Sequence, residues 1–454
     1  MQRPWGRTLP VGPDGRAPRD RSAYAGGRHG ADGEVAVGEQ RVDAVQAEVR
    51  AWLDANWDPE RPLREWREIL VDYGWGCPAW PEAWFGRGLP PSLASAVSAV
   101  FAEVGAVGVA SGVGMNLAAP TILEHGTDDL RARLLRPLVT GEHTWCQLFS
   151  EPGSGSDLAG LVTRADRDGD EWIVNGQKVW NSGAHKAAYG ILLARTNWDV
   201  PKHRGITYFA IDMRQPGIEV RPLRQSNGYA TFNEVFLSDA RVPHANVIGP
   251  LEGGWAVALT TLAHERGLQT GRIARARSGE LGRCAREAAE EAAAYWKTYE
   301  WYPQRAGRVD LAVPQARANG LDDAPVARQQ LAGLHTLERL QRWNNQRALA
   351  ARRAGRPPGP EGSLSKLMGS TTARRANAVH THLVGAAGML AGADGPEDGK
   401  IAETLVSTPA MSIAGGTDEI QHNILGERVL GLPKEPGNDA ELPFREVRTN
   451  SGRG

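Results

Sequence analysis

The chain has 454 residues, with 52 Lys and Arg against 53 Asp and Glu, a near-neutral balance that removes the electrostatic case for nucleic acid or an anionic membrane surface. That length is too great for one simple core and predicts two or three domains. Three widely spaced cysteines (Cys77, Cys146 and Cys284) argue against a disulfide framework or a zinc site and for a reducing cytosol, and no apolar run reaches the length of a membrane span.

Residues 1–40 are rich in Arg, Gly, Pro and Asp, lack the apolar stretch of a secretory signal, and read as a disordered tail. From 41 to 140 the pattern is helical: Val45, Val49, Trp52 and Leu53 recur at helical spacing, Leu93 to Val104 is a second apolar run, and Gly112 opens a third that ends near Gly126. Near Thr144 the period changes. Short β-rich runs at Trp172–Asn175, Gly190–Ala194, Thr207–Ile211 and Phe232–Phe236, with a hairpin signal at Asp168-Gly169-Asp170, predict a compact β domain over 141–252. After Gly253-Gly254 the chain is helical again over 253–435, broken by the aromatic stretch Trp296 to Pro325 and by a Gly/Pro loop at 353–360; residues 436–454 read as a second tail. Helix, then sheet, then helix is an α+β arrangement.

Two stretches carry the chemistry. Cys146-Gln147-Leu148-Phe149-Ser150-Glu151-Pro152-Gly153-Ser154-Gly155-Ser156-Asp157 is a Pro/Gly-broken loop with three hydroxyls and backbone amides suited to a phosphate- or carbonyl-bearing ligand. Gly176-Gln177-Lys178-Val179-Trp180-Asn181-Ser182-Gly183 delivers an indole beside a small hydroxyl, as a flat aromatic ligand requires. No histidines have metal-ligand spacing except His380 and His382, which do not share a helix face, so no metal is assigned.

In this order and spacing the two stretches resemble the central domain of the acyl-CoA dehydrogenase family of flavoproteins, and the likeness extends over Val42 to Pro433. It implies an N-terminal helical domain, a central β-barrel-like domain and a C-terminal four-helix bundle, with FAD as cofactor. By that resemblance Phe149 and Ser150 lie along the flavin edge, Ser156 near the thioester, Trp180 over one ring face and Ser182 near N5. The turn Gly415-Gly416-Thr417-Asp418-Glu419 resembles the C-terminal flavin-contacting segment, with Thr417 and Glu419 facing the cofactor; by itself it is equally a good N-cap. Arg328 stands in for the pyrophosphate arginine, and Gly385-Ala386-Ala387-Gly388 resembles the segment near the adenosine end.

Many members place the catalytic glutamate where this chain has Gly415, whose amide is left to stabilise charge on the thioester oxygen. The isovaleryl-type branch carries it on the helix after the β domain, immediately before an arginine, and here that pair is Glu265-Arg266. Trp255, Leu259 and Leu262 trace an apolar stripe on that helix, with Glu265 at its edge, where a carboxylate suits a general base. The resemblance implies α,β-dehydrogenation of an acyl-CoA, reoxidation by an electron-transferring flavoprotein, and a homo-oligomer (tetramer or dimer). The rival readings are an inactive flavin-binding partner of a heteromeric dehydrogenase, a flavin oxidase or monooxygenase on the same fold, and a non-enzymatic acyl-CoA-binding scaffold.

Overall fold

The computed structural model describes residues 28–268, 281–353, 359, 361–434, 436–437, 439 and 441–449. Five helices come first: α1 (Arg28–Asn56), α2 (Leu63–Asp72), α3 (Pro91–Val104), α4 (Ala119–His125) and α5 (Asp128–Thr140), with a π-helical turn at Gly114–Ala118. The helix α1 therefore starts inside the expected tail. Thr127 caps α5 by accepting the Leu130 amide, and Gly141 ends it at φ 81°, where a side chain would be strained. Val49, Leu53, Trp66, Leu70, Val97 and Val100 form one core between α1, α2 and α3.

Seven strands follow: β1 (Trp145–Leu148), β2 (Arg164–Asp168), β3 (Glu171–Ser182), β4 (Tyr189–Arg195), β5 (Ile206–Asp212), β6 (Ile218–Leu223) and β7 (Phe232–Pro243). They form a single sheet in the order β1-β4-β2-β3-β7-β6, with β5 also pairing β4. Alternation along β4 makes it two-sided: Ile191 and Leu193 enter the core shared with α4 and α5, whereas Leu192 and Ala194 enter the second core with Val174, Phe209 and Val235. This sandwiching makes the sheet the centre of the molecule.

The C-terminal region is helical: α6 (Gly254–Leu268), α7 (Arg283–Lys297), α8 (Tyr302–Arg305), α9 (Ala312–Ala318), α10 (Pro325–Arg353), α11 (Glu361–Val384), α12 (Lys400–Ser407), α13 (Pro409–Ile413) and α14 (Asp418–Arg428). Its helices serve different neighbours. α10 and α11 pair with each other, while α7 lies on α2, where the buried Arg67 meets Glu291 at 2.7 Å and Cys284 joins the N-terminal core.

α6 lies against β5 and α4, held by a buried hydroxyl cluster in which Thr261 Oγ1 is 2.9 Å from both Thr121 Oγ1 and Tyr208 Oη. Val257, Ala258 and Thr261 are its buried face; of the stripe expected through Trp255, Leu259 and Leu262, Trp255 and Leu262 pack against that core, whereas Leu259 is 44% exposed. Glu265, four residues after Thr261, still extends the inward face and is half-buried.

The expected C-terminal tail needs a larger correction. Phe444 is fully buried, with the Arg195 guanidinium 3.4 Å from its ring centre, and its amide donates to the Val200 carbonyl at 2.9 Å. Arg195, itself buried, donates to the carbonyls of Leu161, Lys202 and Ala159. A buried cation whose hydrogen bonds go to backbone carbonyls needs a cover against water, and Phe444, with Trp198 at 5.7 Å, provides it.

Candidate active site

The site grows from β1 and β3. Between Lys178 and Asn181 the register of β3 against β7 slips, and Trp180 takes φ 65° in that bulge. A bulky residue pays strain to sit there, and bulges re-aim side chains next to active sites. Here the bulge turns the indole outward, 55% exposed, with only its edge against Phe232 at 5.8 Å. Ser182 and Ser150, both half-buried, lie on either side of it in the chain.

The loop after β1 is anchored by groups to which the sequence reading assigned no role. Lys178 and Glu151 form a buried ion pair at 2.8 Å; Glu151 also accepts the amides of Val162 at 2.7 Å and Thr163 at 2.9 Å, and Lys178 donates to the Phe149 carbonyl at 3.0 Å. Burial by itself would raise the Glu151 carboxyl, but the ammonium and the amides outweigh it and hold it below the usual range. Phe149 turns into the core, edge-on to Tyr208 at 5.7 Å, so its side chain supports the loop from within. Ser156 is exposed on the loop's far end.

Glu265 meets this assembly through Gln147, whose Nε2 donates to Oε2 at 3.4 Å. The backbone of Gln147 is fixed in turn, since its carbonyl accepts Asn181 Nδ2 at 2.6 Å. Gln147, Asn181 and Glu265 thus link β1, the bulge of β3 and α6. The side chain of Arg266 lies outside the described residues.

The remaining predicted residues lie elsewhere. Arg328 is exposed on the first turn of α10, 3.6 Å from Asp323, and Gly385 opens a short 3-10 turn after α11. Thr417 caps α14 by accepting the Ile420 amide, and Glu419 faces solvent. The buried member of that turn is Asp418, which accepts Lys366 Nζ and Ser370 Oγ, each at 2.8 Å, and also pairs with Arg374. Burial would raise its carboxyl, yet these partners hold it well below the carboxylate range. Gly415 is exposed at φ 68°, and its carbonyl accepts Gln421 Nε2 at 3.1 Å. Ser370, which bonds the neighbouring Asp418, and Gly385 are separated by most of α11, roughly 20 Å at 1.5 Å per residue, so the Thr417 turn lies far from Gly385 within one chain.

Cysteine and histidine chemistry is absent from the described site. All three thiols are free and buried, with burial raising Cys77 and Cys146 to about 12 and Cys284 to about 11. His380 is locked in the bundle between Gln315 and the Gly307 carbonyl, and no cluster among the described residues suits a metal.

The indole of Trp180 is thus exposed in the bulge, two residues before the half-buried Ser182, and the Glu265 carboxylate of α6 reaches the same bulge through Gln147 and Asn181. Comparison with known proteins gives the family. The acyl-CoA dehydrogenase N-terminal, middle and C-terminal domain patterns match residues 36–142, 146–240 and 310–430. The chain belongs to the acyl-CoA dehydrogenase family. It is 37% identical over 401 residues to acyl-CoA dehydrogenase FadE34 of Mycobacterium tuberculosis, covering 88% of this chain and 49% of that protein. It is 33% identical over 423 residues to acyl-CoA dehydrogenase IpdE1 of the same organism, covering 87% and 99%. The chain therefore spans about half the length of the first relative and nearly all of the second. The solved ChsE4-ChsE5 complex from Mycobacterium tuberculosis is similar at 26% identity and a TM-score of 0.59, over 87% of this chain and 98% of that one.

FAD, the cofactor of this family, suits the residues present. The outward indole offers a stacking face, Ser150 and Ser182 offer hydroxyls, and Asn181 Oδ1 is a buried acceptor without a protein partner that a ring N–H would satisfy. No helix among the described residues is long and apolar enough to cross a membrane.

Proposed function

We propose that the chain is an FAD-dependent dehydrogenase that converts an acyl-CoA thioester to the trans-2-enoyl-CoA. The observation that carries this reading is the chain of contacts from Glu265 through Gln147 to Asn181 in the Trp180 bulge. FAD, when bound, supplies the hydride acceptor for the β hydrogen at N5.

Glu265 takes the α proton, and Gln147 orients its carboxylate by donating to one oxygen. Trp180 closes one face of the ring against water, and Ser150 and Ser182 bind its edge. Ser156 and Arg266 attend the thioester, and the amide at Gly415 stabilises charge on its oxygen. Thr417, Glu419, Arg328 and Gly385 hold the rest of the cofactor. Their separation along α11 supports an oligomer in which two chains complete each cofactor site. An electron-transferring flavoprotein takes the electrons onward, and three free buried thiols suit the cytoplasm.

A second reading is a heteromeric enzyme in which another dehydrogenase-like chain completes the site, favoured by the similarity to the ChsE4-ChsE5 complex. The test is anaerobic mixing of the purified, FAD-loaded chain with acyl-CoA thioesters and a dye acceptor. Bleaching of the flavin band with dye turnover is expected, and fast peroxide release in air would move the assignment to an oxidase. Protein that takes up no flavin defeats the proposal. Turnover that appears only with a second dehydrogenase-like chain establishes the heteromer.

A further inference from the structure

The broken aromatic stretch after α7 reaches the Trp180 bulge through direct ring contacts. Trp301, the residue before α8, is 3% exposed, and its indole N–H donates to Thr231 Oγ1 at 3.0 Å. Its ring meets Phe232 edge-on, with centres 6.0 Å apart and planes at 77°. Phe232 in turn meets the Trp180 indole edge-on, at 5.8 Å and 89°. Three rings from remote parts of the chain thus stand in a row, with a buried indole at the back and an exposed one at the front.

The back of the row is well anchored. Phe232 opens β7, where its backbone is the partner of Ser182 in β3 and of Leu223 in β6. A run of polar contacts ties the turn before it to the C-terminal helices. Thr231 donates its hydroxyl to Gln225 Oε1 at 3.2 Å, Gln225 donates to Asn227 Oδ1 at 3.3 Å, and Asn227 donates to the buried Ser407 of α12 at 3.1 Å. An indole N–H can only donate, so Trp301 sets the direction of the Thr231 hydroxyl at the head of this run. The front is different. Trp180 is 55% exposed on a left-handed backbone, and its ring leans on the edge of Phe232. An exposed ring free to turn about its side-chain bonds must be ordered when a ligand stacks on it, and that ordering costs affinity unless a neighbour has already imposed it.

We propose that Trp301 is a positioning residue for the cofactor: it backs Phe232, and Phe232 holds the Trp180 indole ready to receive the flavin ring. This rests on the flavin-site reading above. Because Trp301 acts on the indole through Phe232, its loss alters flavin binding only while both of those rings are present.

The experiment is a set of double-mutant cycles in the full chain, with Trp301→Leu, Phe232→Leu and the pair, and with Trp301→Leu repeated in a Trp180→Ala background. It is read in the FAD dissociation constant, the position of the oxidised flavin absorbance band and the melting temperature. Trp301→Leu should weaken FAD about two- to ten-fold, the worth of one aromatic edge pair, and shift the band. Phe232→Leu should do the same, and the pair should bind FAD no more weakly than Phe232→Leu alone. In the Trp180→Ala background Trp301→Leu should leave affinity and band unchanged, although the melting temperature still falls. Trp301→Phe, which restores a ring against Phe232, should recover most of the affinity.

A second readout needs no flavin. In chain labelled with fluorotryptophan, the Trp180 fluorine resonance, assigned by its absence from Trp180→Ala, should move in Trp301→Leu. It should move no further when Trp301→Leu is added to Phe232→Leu. Should Trp301→Leu not fold, Trp301→Met fills more of the space without a ring and takes its place with the same expectations. Affinity losses that add in the pair, or that persist undiminished in the Trp180→Ala background, overturn the inference and leave the flavin site standing. Parent-like FAD affinity and an unmoved Trp180 resonance in Trp301→Leu also overturn it. A parent that binds no FAD defeats the flavin-site reading, and the fluorine shifts then decide the Trp301–Trp180 link alone.

Discussion

Replacing Lys178 by Met tests the anchor under the Ser150 loop. The ammonium is fully buried, 2.8 Å from Glu151 and 3.0 Å from the Phe149 carbonyl, and methionine fills nearly the same volume without charge. Glu151 would keep the amides of Val162 and Thr163 but lose the cation paired with it. Removing one member of a buried pair costs about 3–5 kcal/mol, because the other charge stays behind without compensation. At about 2 °C per kcal/mol for a large domain, the melting temperature should fall by at least about 6 °C. Adding Glu151→Gln removes the stranded charge while keeping one acceptor for the amides, so the double variant should recover part of that loss.

The pH dependence of this variant has a definite sign. The folded carboxyl of Glu151 lies below its unfolded value of about 4.3, so the pair's contribution is complete above that pH and is lost as pH falls through the folded value. Thermal unfolding from pH 7 down to 3 should therefore show the parent and Lys178→Met converging in acid, where Glu151 takes up a proton. Flavin affinity should fall with stability, because Lys178 also ties the Phe149–Ser150 backbone. A variant that melts with the parent at pH 7, or a gap that widens in acid, would refute the argument.

Glu265→Gln should lower turnover by about 10²- to 10⁴-fold with flavin content unchanged, measured by dye reduction; parent-like turnover places the base elsewhere. Trp180→Gly relieves a left-handed backbone and should keep or raise the melting temperature while weakening flavin binding, whereas Trp180→Ala weakens flavin without that relief; flavin fluorescence titration and calorimetry separate the two. Phe444→Ala should destabilise by about 3–5 kcal/mol in urea unfolding, since a fully buried ring is lost and Arg195 is uncovered; an unchanged midpoint would mean that the C-terminal segment is dispensable.

What was legible in the sequence was local. The change of period near Thr144 and the Asp168-Gly169-Asp170 hairpin joining β2 to β3 each depend on residues a few positions apart, and each has its counterpart in the fold. The family likeness picked out Trp180, Ser182 and Glu265, and helical spacing set Glu265 at the edge of an apolar stripe. It was silent on how they are held, because those contacts are remote in sequence: Glu265 reaches Gln147 across 118 positions, and Glu151 reaches Lys178 across 27.

The misreadings share a cause. Leu259 was expected in an apolar stripe, but the fully buried face of α6 is Val257, Ala258 and Thr261, flanked by Trp255 and Leu262, and a threonine hydroxyl at its centre is something hydrophobic periodicity passes over. Residues 436–454 read as a tail because they are polar, yet among the described ones Phe444 and Val447 are buried, Phe444 covers Arg195, and Asp439 and Arg445 pair with Lys202 and Asp199. In the turn after α13, Thr417 and Asp418 are adjacent and both polar. Only their surroundings distinguish a helix cap from an ion-pair anchor, and those surroundings come from Lys366, Ser370 and Arg374 on another helix. Trp180 shows the opposite balance. Its strained φ has no local signal, since nothing in Val179-Trp180-Asn181 calls for a left-handed backbone. A conformation that the local sequence disfavours persists only where packing on both sides enforces it, and that enforcement exposes the one indole a flavin would need.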